Sequence, residues 1–210
     1  MNADVMNANL FMMCSALNEA ATADFPPGFI VRHIRPNELD IWKRMPFDDA
    51  NTADEHYDYM NKYFDRVYAP RINDFYNSCL FVCDEKDHPV GTCFIWQAHG
   101  IFSSIHWYKV IQSHEGMGIG RALLTSVMRH AEYPVYLHTH PGCLRAVKLY
   151  SDVGFSLLLD PVIGNRNNDL EIGLPYLKEH MPKSEYDNLR FEHAPESFLE
   201  LLTGYDWDEF

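Results

Sequence analysis

The stretch that decides the fold reads Ile105-His-Trp-Tyr-Lys-Val-Ile-Gln-Ser-His-Glu-Gly-Met-Gly-Ile-Gly-Arg-Ala-Leu-Leu124. Residues 105–111 are mostly apolar or aromatic and predict a buried strand. Glycines then stand at alternate positions, Gly116, Gly118 and Gly120, and from residue 119 onward apolar residues recur at helical spacing. A strand, a glycine turn and a helix in this order direct backbone N–H groups and the positive end of a helix dipole at one place. The stretch therefore predicts either a seat for a phosphate or a tightly packed turn.

Two familiar phosphate-binding motifs do not fit this turn. A P-loop needs Gly-Lys-Ser/Thr, whereas residues 120–122 read Gly-Arg-Ala. A dinucleotide-binding fold places an acidic residue about 20 residues after its glycines, at the end of the next strand. The next predicted strand, residues 135–139, ends in His138-Thr139-His140 instead. Both motifs are therefore excluded.

A third pattern fits residues 115–124. They resemble the acyl-CoA-binding signature of the Gcn5-related N-acetyltransferases (GNAT), Gln/Arg-x-x-Gly-x-Gly/Ala on a strand, turn and helix. Downstream, Val135-Tyr-Leu-His-Thr139 and Ala146-Val-Lys-Leu-Tyr-Ser-Asp-Val-Gly-Phe155 are similar to that family's next strand and to its Ala-x-x-Leu-Tyr-x-x-x-Gly-Phe segment. Two residues depart from the pattern: Glu115 replaces the usual Gln or Arg, and Cys143 stands where many members carry Asn.

This resemblance implies the fold class and the domain limits. It predicts an α/β (α+β) GNAT domain over residues 29–175, with a mixed central sheet of six or seven strands flanked by helices. Residues 1–28 are then an N-terminal extension, and residues 176–210 an acidic, helical C-terminal extension packed on the same domain. Apolar residues at the spacing of a helix face predict that the N-terminal extension is helical as well: Met6, Leu10, Met13 and Leu17. The acidic end is expected to be solvated: Asp206, Asp208 and Glu209.

Local patterns predict further elements of the domain. Residues 79–83 and 90–96 read as a hairpin, and residues 156–159 and 170–174 as another. A helix to about Ala69 is expected to begin at a Thr52 cap, with Glu55 completing a capping box. Its core stripe is expected to consist of Tyr57, Met60, Phe64 and Val67, with Tyr59, Tyr63 and Tyr68 off the stripe.

Composition excludes several classes of function. A net charge of −13 argues against a nucleic-acid or anionic-membrane partner and suits a cationic one. No apolar run approaches the ~20 residues of a membrane helix, and no basic residue precedes Arg32, so neither a membrane span nor a signal peptide is expected. Five scattered cysteines without metal-ligand spacing indicate reduced thiols and a cytoplasmic protein. A monomer and a homodimer both remain open.

The resemblance also implies acetyl-CoA as co-substrate and assigns residues to it. The central strand is expected to contact the thioester arm through the main chain of Tyr108 and Val110. Cys143 replaces a residue that touches the cofactor arm in many members. The pyrophosphate is expected on the turn and the helix start, formed by Glu115, Gly116, Met117, Gly118, Ile119, Gly120 and Arg121.

Catalytic roles are assigned less directly. By resemblance, Tyr150 is the acid that protonates the departing thiolate. His106, two residues before Tyr108 and therefore expected on the same strand face, is the first candidate for the base, and His138 is the second. His106 could equally be a core histidine, with the proton leaving through ordered waters. His138 and His140 resemble a metal pair, but no third ligand stands at suitable spacing, so no metal is expected.

The resemblance implies that the acceptor is an amine of a small molecule or a peptide. Acids and rings crowd the segment expected to wall its site: Asp48, Asp49, Asp54, Glu55, Asp58, Tyr57, Tyr59, Tyr63 and Tyr68. They favour a cationic or aromatic amine, although a solvated acidic helix with core tyrosines explains them too. Two functions stay open at this point: an N-acetyltransferase, and a non-catalytic acyl-CoA sensor or regulatory module on the same fold.

Overall fold

The strand, glycine turn and helix predicted from residues 105–124 are present. In the computed structural model, which describes Val5, residues 8–205 and Glu209, the strand is β5, Phe102–Val110, and the helix is α5, Ile119–Met128. The other strands are β1 Leu10–Cys14, β2 Ile30–His33, β3 Leu80–Cys83, β4 Pro89–Ala98, β6 Val135–Thr139, β7 Ser156–Leu158, β8 Val162–Ile163, β9 Arg166–Asn167 and β10 Phe191–Glu192. The other helices are α1 Leu39–Arg44, α2 Ala50–Glu55, α3 Tyr57–Val67, α4 Ile72–Ser78, α6 Leu144–Val153, α7 Leu170–His180, α8 Lys183–Asp187 and α9 Glu196–Leu202.

The chain divides into two compact units, and β5 contributes to both. The first unit takes its described residues from Met1–Ala21, Ala98–Ser104 and Glu132–Phe210, and the second from Thr22–Gln97 and Ile105–Ala131. The predicted domain limits at residues 28 and 175 stay a prediction.

The second unit contains the strand order β5-β4-β3-β2. β2 and β4 both pair antiparallel with β3, and the β3–β4 hairpin confirms the prediction for residues 79–96. Alternate residues of β4, Phe94 and Trp96, are buried among rings from the helices, among them Trp42 of α1 and Phe75 of α4. This aromatic layer is the core on which α1, α3 and α4 rest.

The first unit contains the strand order β10-β7-β1-β6-β5. β1 runs antiparallel to both β6 and β7, whereas β10 pairs with β7, and β5 with β6, in parallel. The sheet strands are therefore of mixed direction, as predicted. β1 and β10 are strands that the prediction of six or seven strands did not include.

Both terminal predictions need correction. Residues 10–14 were expected on a helix but form β1, and all five are buried. A strand covered on both faces is apolar throughout, so its spacing does not distinguish it from a helix. Met6 lies outside the described residues. The C-terminal extension, predicted to be helical, contains α8 and α9, whereas Phe191 and Glu192 form the short strand β10.

Three local predictions were also wrong. Residues 170–174 begin α7 instead of a strand, with Gly173 packed where a Cβ would lie 2.7 Å from the Leu10 side chain. The cap of the helical segment is Asp49, whose carboxylate accepts from the Thr52 N–H at 3.0 Å. Glu209 is buried and accepts from the His99 N–H at 2.6 Å, while Asp206 and Asp208 lie outside the described residues.

Candidate functional site

The turn between β5 and α5 is open on the side of its first two glycines. Gly116 and Gly118 have φ of 76° and 84°, the left-handed region in which glycine has no steric penalty. A Cβ built on either residue would meet no atom within 4 Å. Gly118 is the N-cap of α5, and the N–H groups of the first helical turn, at Ile119 and Gly120, have no acceptor within the helix. The turn therefore offers donors and space to an anion.

The charges around the turn also suit an anion. α5 carries no acidic residue in its first turn, so no carboxylate there offsets the positive end of its dipole. Arg121 is half-buried at the third helical position, and Met117 is exposed at the tip of the turn. Glu115 is exposed just before the turn, and its extended backbone (φ −68°, ψ 152°) leads into Gly116.

The third glycine, Gly120, is packed against side chains of β5. A Cβ on Gly120 would lie 2.3 Å from the Tyr108 hydroxyl and 3.7 Å from Val110 Cγ2. Gly120 thus makes room for the strand side chains that pack on the start of α5. Burial raises the pKa of Tyr108, so its phenol stays protonated at neutral pH. Of the three glycines, only the first two face open space.

β5 contains a residue in left-handed backbone, Trp107, and this changes which side chains share a face. Trp107 has φ 50°, a conformation that costs an L-residue about 1–2 kcal/mol. His106 and Trp107 are consecutive, yet both contact Tyr68, just after α3, whereas Tyr108 lies against Gly120 of α5. The expectation that His106 and Tyr108 share a face was therefore wrong, because left-handed backbone at Trp107 interrupts the two-residue alternation of the strand.

The Tyr68 side chain contacts both His106 and Trp107. It was expected off the core stripe, but its side chain is fully buried just beyond the end of α3. Trp107 Nε1–H donates to its hydroxyl at 2.9 Å, and the same hydroxyl is 2.5 Å from His106 Nδ1. Burial, more than any neighbour, raises the pKa of Tyr68 well above its ordinary value, so the group remains a neutral hydroxyl.

The acidic segment expected to wall the acceptor site is largely engaged in internal contacts. Asp48 accepts from Lys109 of β5 at 2.6 Å, Asp54 accepts from Arg44 at 2.6 Å, and Asp49 caps α2. These charges are mostly exposed, so solvent screens them and the contacts contribute little to stability. The ring of Tyr63 contacts Trp107 edge-on, with centroids 5.4 Å apart, and the exposed Tyr59 lies 6.1 Å beyond it.

Tyr150 lies in the first unit, near the end of α6. Its side chain is buried and packs on Phe155, with centroids 5.7 Å apart. Gly154, with φ 127°, ends the helix, and a Cβ there would lie 2.6 Å from the Ala16 carbonyl. The Leu-Tyr-x-x-x-Gly-Phe pattern thus corresponds to the C-terminal end of α6, and the segment after β1 packs closely against this end. Cys143, the residue before α6, is exposed.

His138 is also in the first unit, and its surroundings keep it neutral. Desolvation, then the charges of Arg166 and His140, lower its pKa to about 2. Its Nε2 is 2.8 Å from the Asn9 side-chain oxygen, so this nitrogen carries the proton. A group that is so weak a base accepts protons poorly at neutral pH. Over Val5, residues 8–205 and Glu209, no three metal-ligating side chains cluster.

The structure thus brings part of the predicted set together. His106, Tyr108, Val110 and the 115–121 turn share the second unit, and Tyr150, His138 and Cys143 the first. Sequence reasoning missed the link from Tyr68 to His106 and Trp107. In the sequence, the only indication of this link was the high aromatic content of residues 57–68 and 105–108.

Comparison with known proteins places these features in a family. Residues 41–155, more than half of the chain, match the profile of the acetyltransferase (GNAT) family. No curated protein matches the sequence. Similar solved structures include a GCN5-related N-acetyltransferase from Sphaerobacter thermophilus (18% identity, 62% of this chain and 42% of that chain, TM-score 0.46) and a GNAT-family acetyltransferase from Colwellia psychrerythraea (14%, 72% and 53%, TM-score 0.49). This chain thus spans less than half of the Sphaerobacter protein. Among the described helices, none is long and apolar enough to cross a membrane.

Proposed function

Because the chain belongs to the acetyltransferase (GNAT) family, we propose that it is an acetyl-CoA-dependent N-acetyltransferase. It would move the acetyl group from the thioester to a primary amine of a small molecule or peptide, by direct attack in a ternary complex. The observation that carries this proposal is the open turn at Gly116 and Gly118, where donors and space coincide. We also propose a cytoplasmic location, for which the scattered cysteines without metal-ligand spacing are the supporting observation.

The residues present suit acetyl-CoA. Backbone N–H groups from Gly116 to Arg121 would hold the pyrophosphate, aided by the dipole of α5. Side chains at Gly116 and Gly118 would occupy the open space that the phosphates need. Glu115 would repel them, and the backbone donors do not depend on its side chain. The main chain of Tyr108 and Val110 would align the thioester arm, with an N–H of β5 polarising its carbonyl.

Amine attack requires three further tasks. The ammonium must lose a proton, the carbonyl oxygen must be stabilised as it gains charge, and the departing sulfur must gain a proton. We assign the first to His106, which is linked to Tyr68, and the last to Tyr150. His138, whose pKa of about 2 makes it a weak base, is the less suitable choice.

The acceptor site is proposed on the side of α3 that carries Tyr59 and Tyr63. These rings and Trp107 present aromatic surface, whereas Asp48 and Asp54 are already paired with Lys109 and Arg44. This supports an amine with a flat aromatic body more than one with several charges. Arylalkylamines should therefore exceed polyamines in kcat/KM, and a panel in which neutral aliphatic amines do equally well would exclude an aromatic subsite.

A thiol-release assay with acetyl-CoA and an amine panel tests the enzyme, and titration calorimetry tests binding. Amine-dependent release of CoA is expected. Tight binding of acetyl-CoA without release for any amine would favour the second candidate, a non-catalytic acyl-CoA sensor, for which Glu115 at the turn is the supporting observation.

A further inference from the structure

A buried hydroxyl joins two consecutive residues of β5. The Tyr68 side chain is fully buried, and its oxygen lies 2.9 Å from Trp107 Nε1 and 2.5 Å from His106 Nδ1. Its ring is fixed edge-on against Trp42 and Trp96, with centroids 5.6 Å and 4.9 Å away. The hydroxyl therefore cannot turn toward water, and its hydrogen bonds must be made inside this cluster.

The protons of the cluster can be assigned from donor chemistry. An indole N–H only donates, so the Tyr68 oxygen accepts from Trp107. The single proton of Tyr68 must then go to another acceptor, and His106 Nδ1 at 2.5 Å can take it. The Tyr63 hydroxyl also bonds to Tyr68, and it is the competing acceptor. If Tyr63 took the proton, His106 would have to donate from Nδ1.

We propose that Tyr68 is a positioning residue for His106 and Trp107. By donating to Nδ1 it fixes the neutral imidazole of His106 with its proton on Nε2. By accepting from the indole it holds Trp107 in its left-handed conformation within β5. The 2.5 Å distance shows that Tyr68 and Nδ1 are hydrogen-bonded, and the tautomer of His106 decides which of the two atoms donates.

This assignment directs proton transfer, and here the inference rests on the proposed function. The basic lone pair of His106 is on Nδ1 and faces Tyr68. While Tyr68 donates to Nδ1, both ring nitrogens of His106 are occupied, so His106 takes up the proton that the amine loses only after the Tyr68 O–H has turned from Nδ1 to the Tyr63 oxygen. The amine N–H bond then breaks and an Nδ1–H bond forms, while Tyr68 keeps its own proton. No net charge forms on Tyr68.

Nitrogen NMR of protein labelled at histidine tests the tautomer without any substrate. The His106 signals are assigned by their loss in His106→Gln. In the wild type we expect a protonated Nε2 and an unprotonated Nδ1, and in Tyr68→Phe a loss of that preference. A wild-type proton on Nδ1, or an unchanged tautomer in folded Tyr68→Phe, would overturn the inference. The wild-type spectrum decides even if the variant does not fold.

Kinetics separate positioning from simple packing. A wrong histidine tautomer can lower kcat by up to about 10⁴-fold. Tyr68→Phe keeps the ring, and we expect kcat to fall by about tenfold or more, with the KM for acetyl-CoA unchanged and the pH profile altered. Tyr76→Phe, which removes a half-buried hydroxyl from α4 of the same unit, is the matched control and should leave kcat unchanged. Equal kcat in the two variants would refute the role in proton transfer. A wild type without turnover would refute the proposed function and leave the NMR result standing.

Discussion

The substitution Gly118→Asn fills the space that a ligand needs while adding little backbone strain. Gly118 has φ 84°, and a Cβ there faces open space, so the new side chain would fill the region in front of the α5 N-terminus. Asn tolerates left-handed backbone better than other residues, and the penalty of about 1–2 kcal/mol for an ordinary L-residue is its upper bound. We expect a loss of about 1 kcal/mol, which lowers Tm by about 2–4 °C in a chain of this size.

The effect on acetyl-CoA binding should be much larger than the effect on stability. A hydrogen bond to a charged group contributes about 1.5–3 kcal/mol, so displacing the phosphates from two N–H groups removes at least about 3 kcal/mol. That is a loss of more than about 100-fold in Kd, measured by titration calorimetry. Gly164→Asn, at a glycine with φ 62° in the turn between β8 and β9, is the matched control and should bind normally. A folded Gly118→Asn variant with wild-type affinity would refute the placement of the pyrophosphate.

Three further predictions follow from the same contacts. Gly120→Ala brings a Cβ to 2.3 Å from the Tyr108 hydroxyl, so calorimetry should show weaker acetyl-CoA binding as Tyr108 is displaced, and unchanged affinity would mean that this packing is irrelevant. Tyr150→Phe should lower kcat by about 10²–10⁴-fold with little change in acetyl-CoA affinity, whereas wild-type turnover would leave Tyr150 a packing residue. The pKa of His138 is about 2 in the folded protein and 6.5 in the unfolded chain, so between these pH values only the unfolded chain binds the proton. The contribution of His138 to the free energy of unfolding therefore falls as pH falls below 6.5, by about 2 kcal/mol at pH 5. Chemical denaturation at pH 5 and 7.5 should show a smaller acid loss in His138→Gln, and an equal loss would contradict the assignment.

The central strand, turn and helix could be predicted because independent patterns agreed on them. Glycines at 116 and 118 occupy left-handed positions, and the apolar residues after Ile119 form the buried face of α5. β1 could not be predicted, since a short segment buried on both faces has no periodicity that separates strand from helix.

The site was less predictable because its geometry depends on tertiary contacts. Trp107 is a bulky residue in left-handed backbone, and no local sequence pattern predicts that conformation. Tyr68 follows the end of α3, where the helical stripe no longer determines which side chains are buried. Gly120 resembles the other two glycines in sequence, yet its constraint is the Tyr108 hydroxyl. Such contacts exist only once the elements have packed.

The most direct test of the central claim is release of CoA thiol from acetyl-CoA by the wild-type protein, measured across the amine panel. We predict release that requires both protein and amine, that is largest for arylalkylamines, and that Gly118→Asn abolishes at acetyl-CoA concentrations saturating for the wild type. Absence of amine-dependent release for every amine, in protein that binds acetyl-CoA, would contradict the claim that this chain is an N-acetyltransferase.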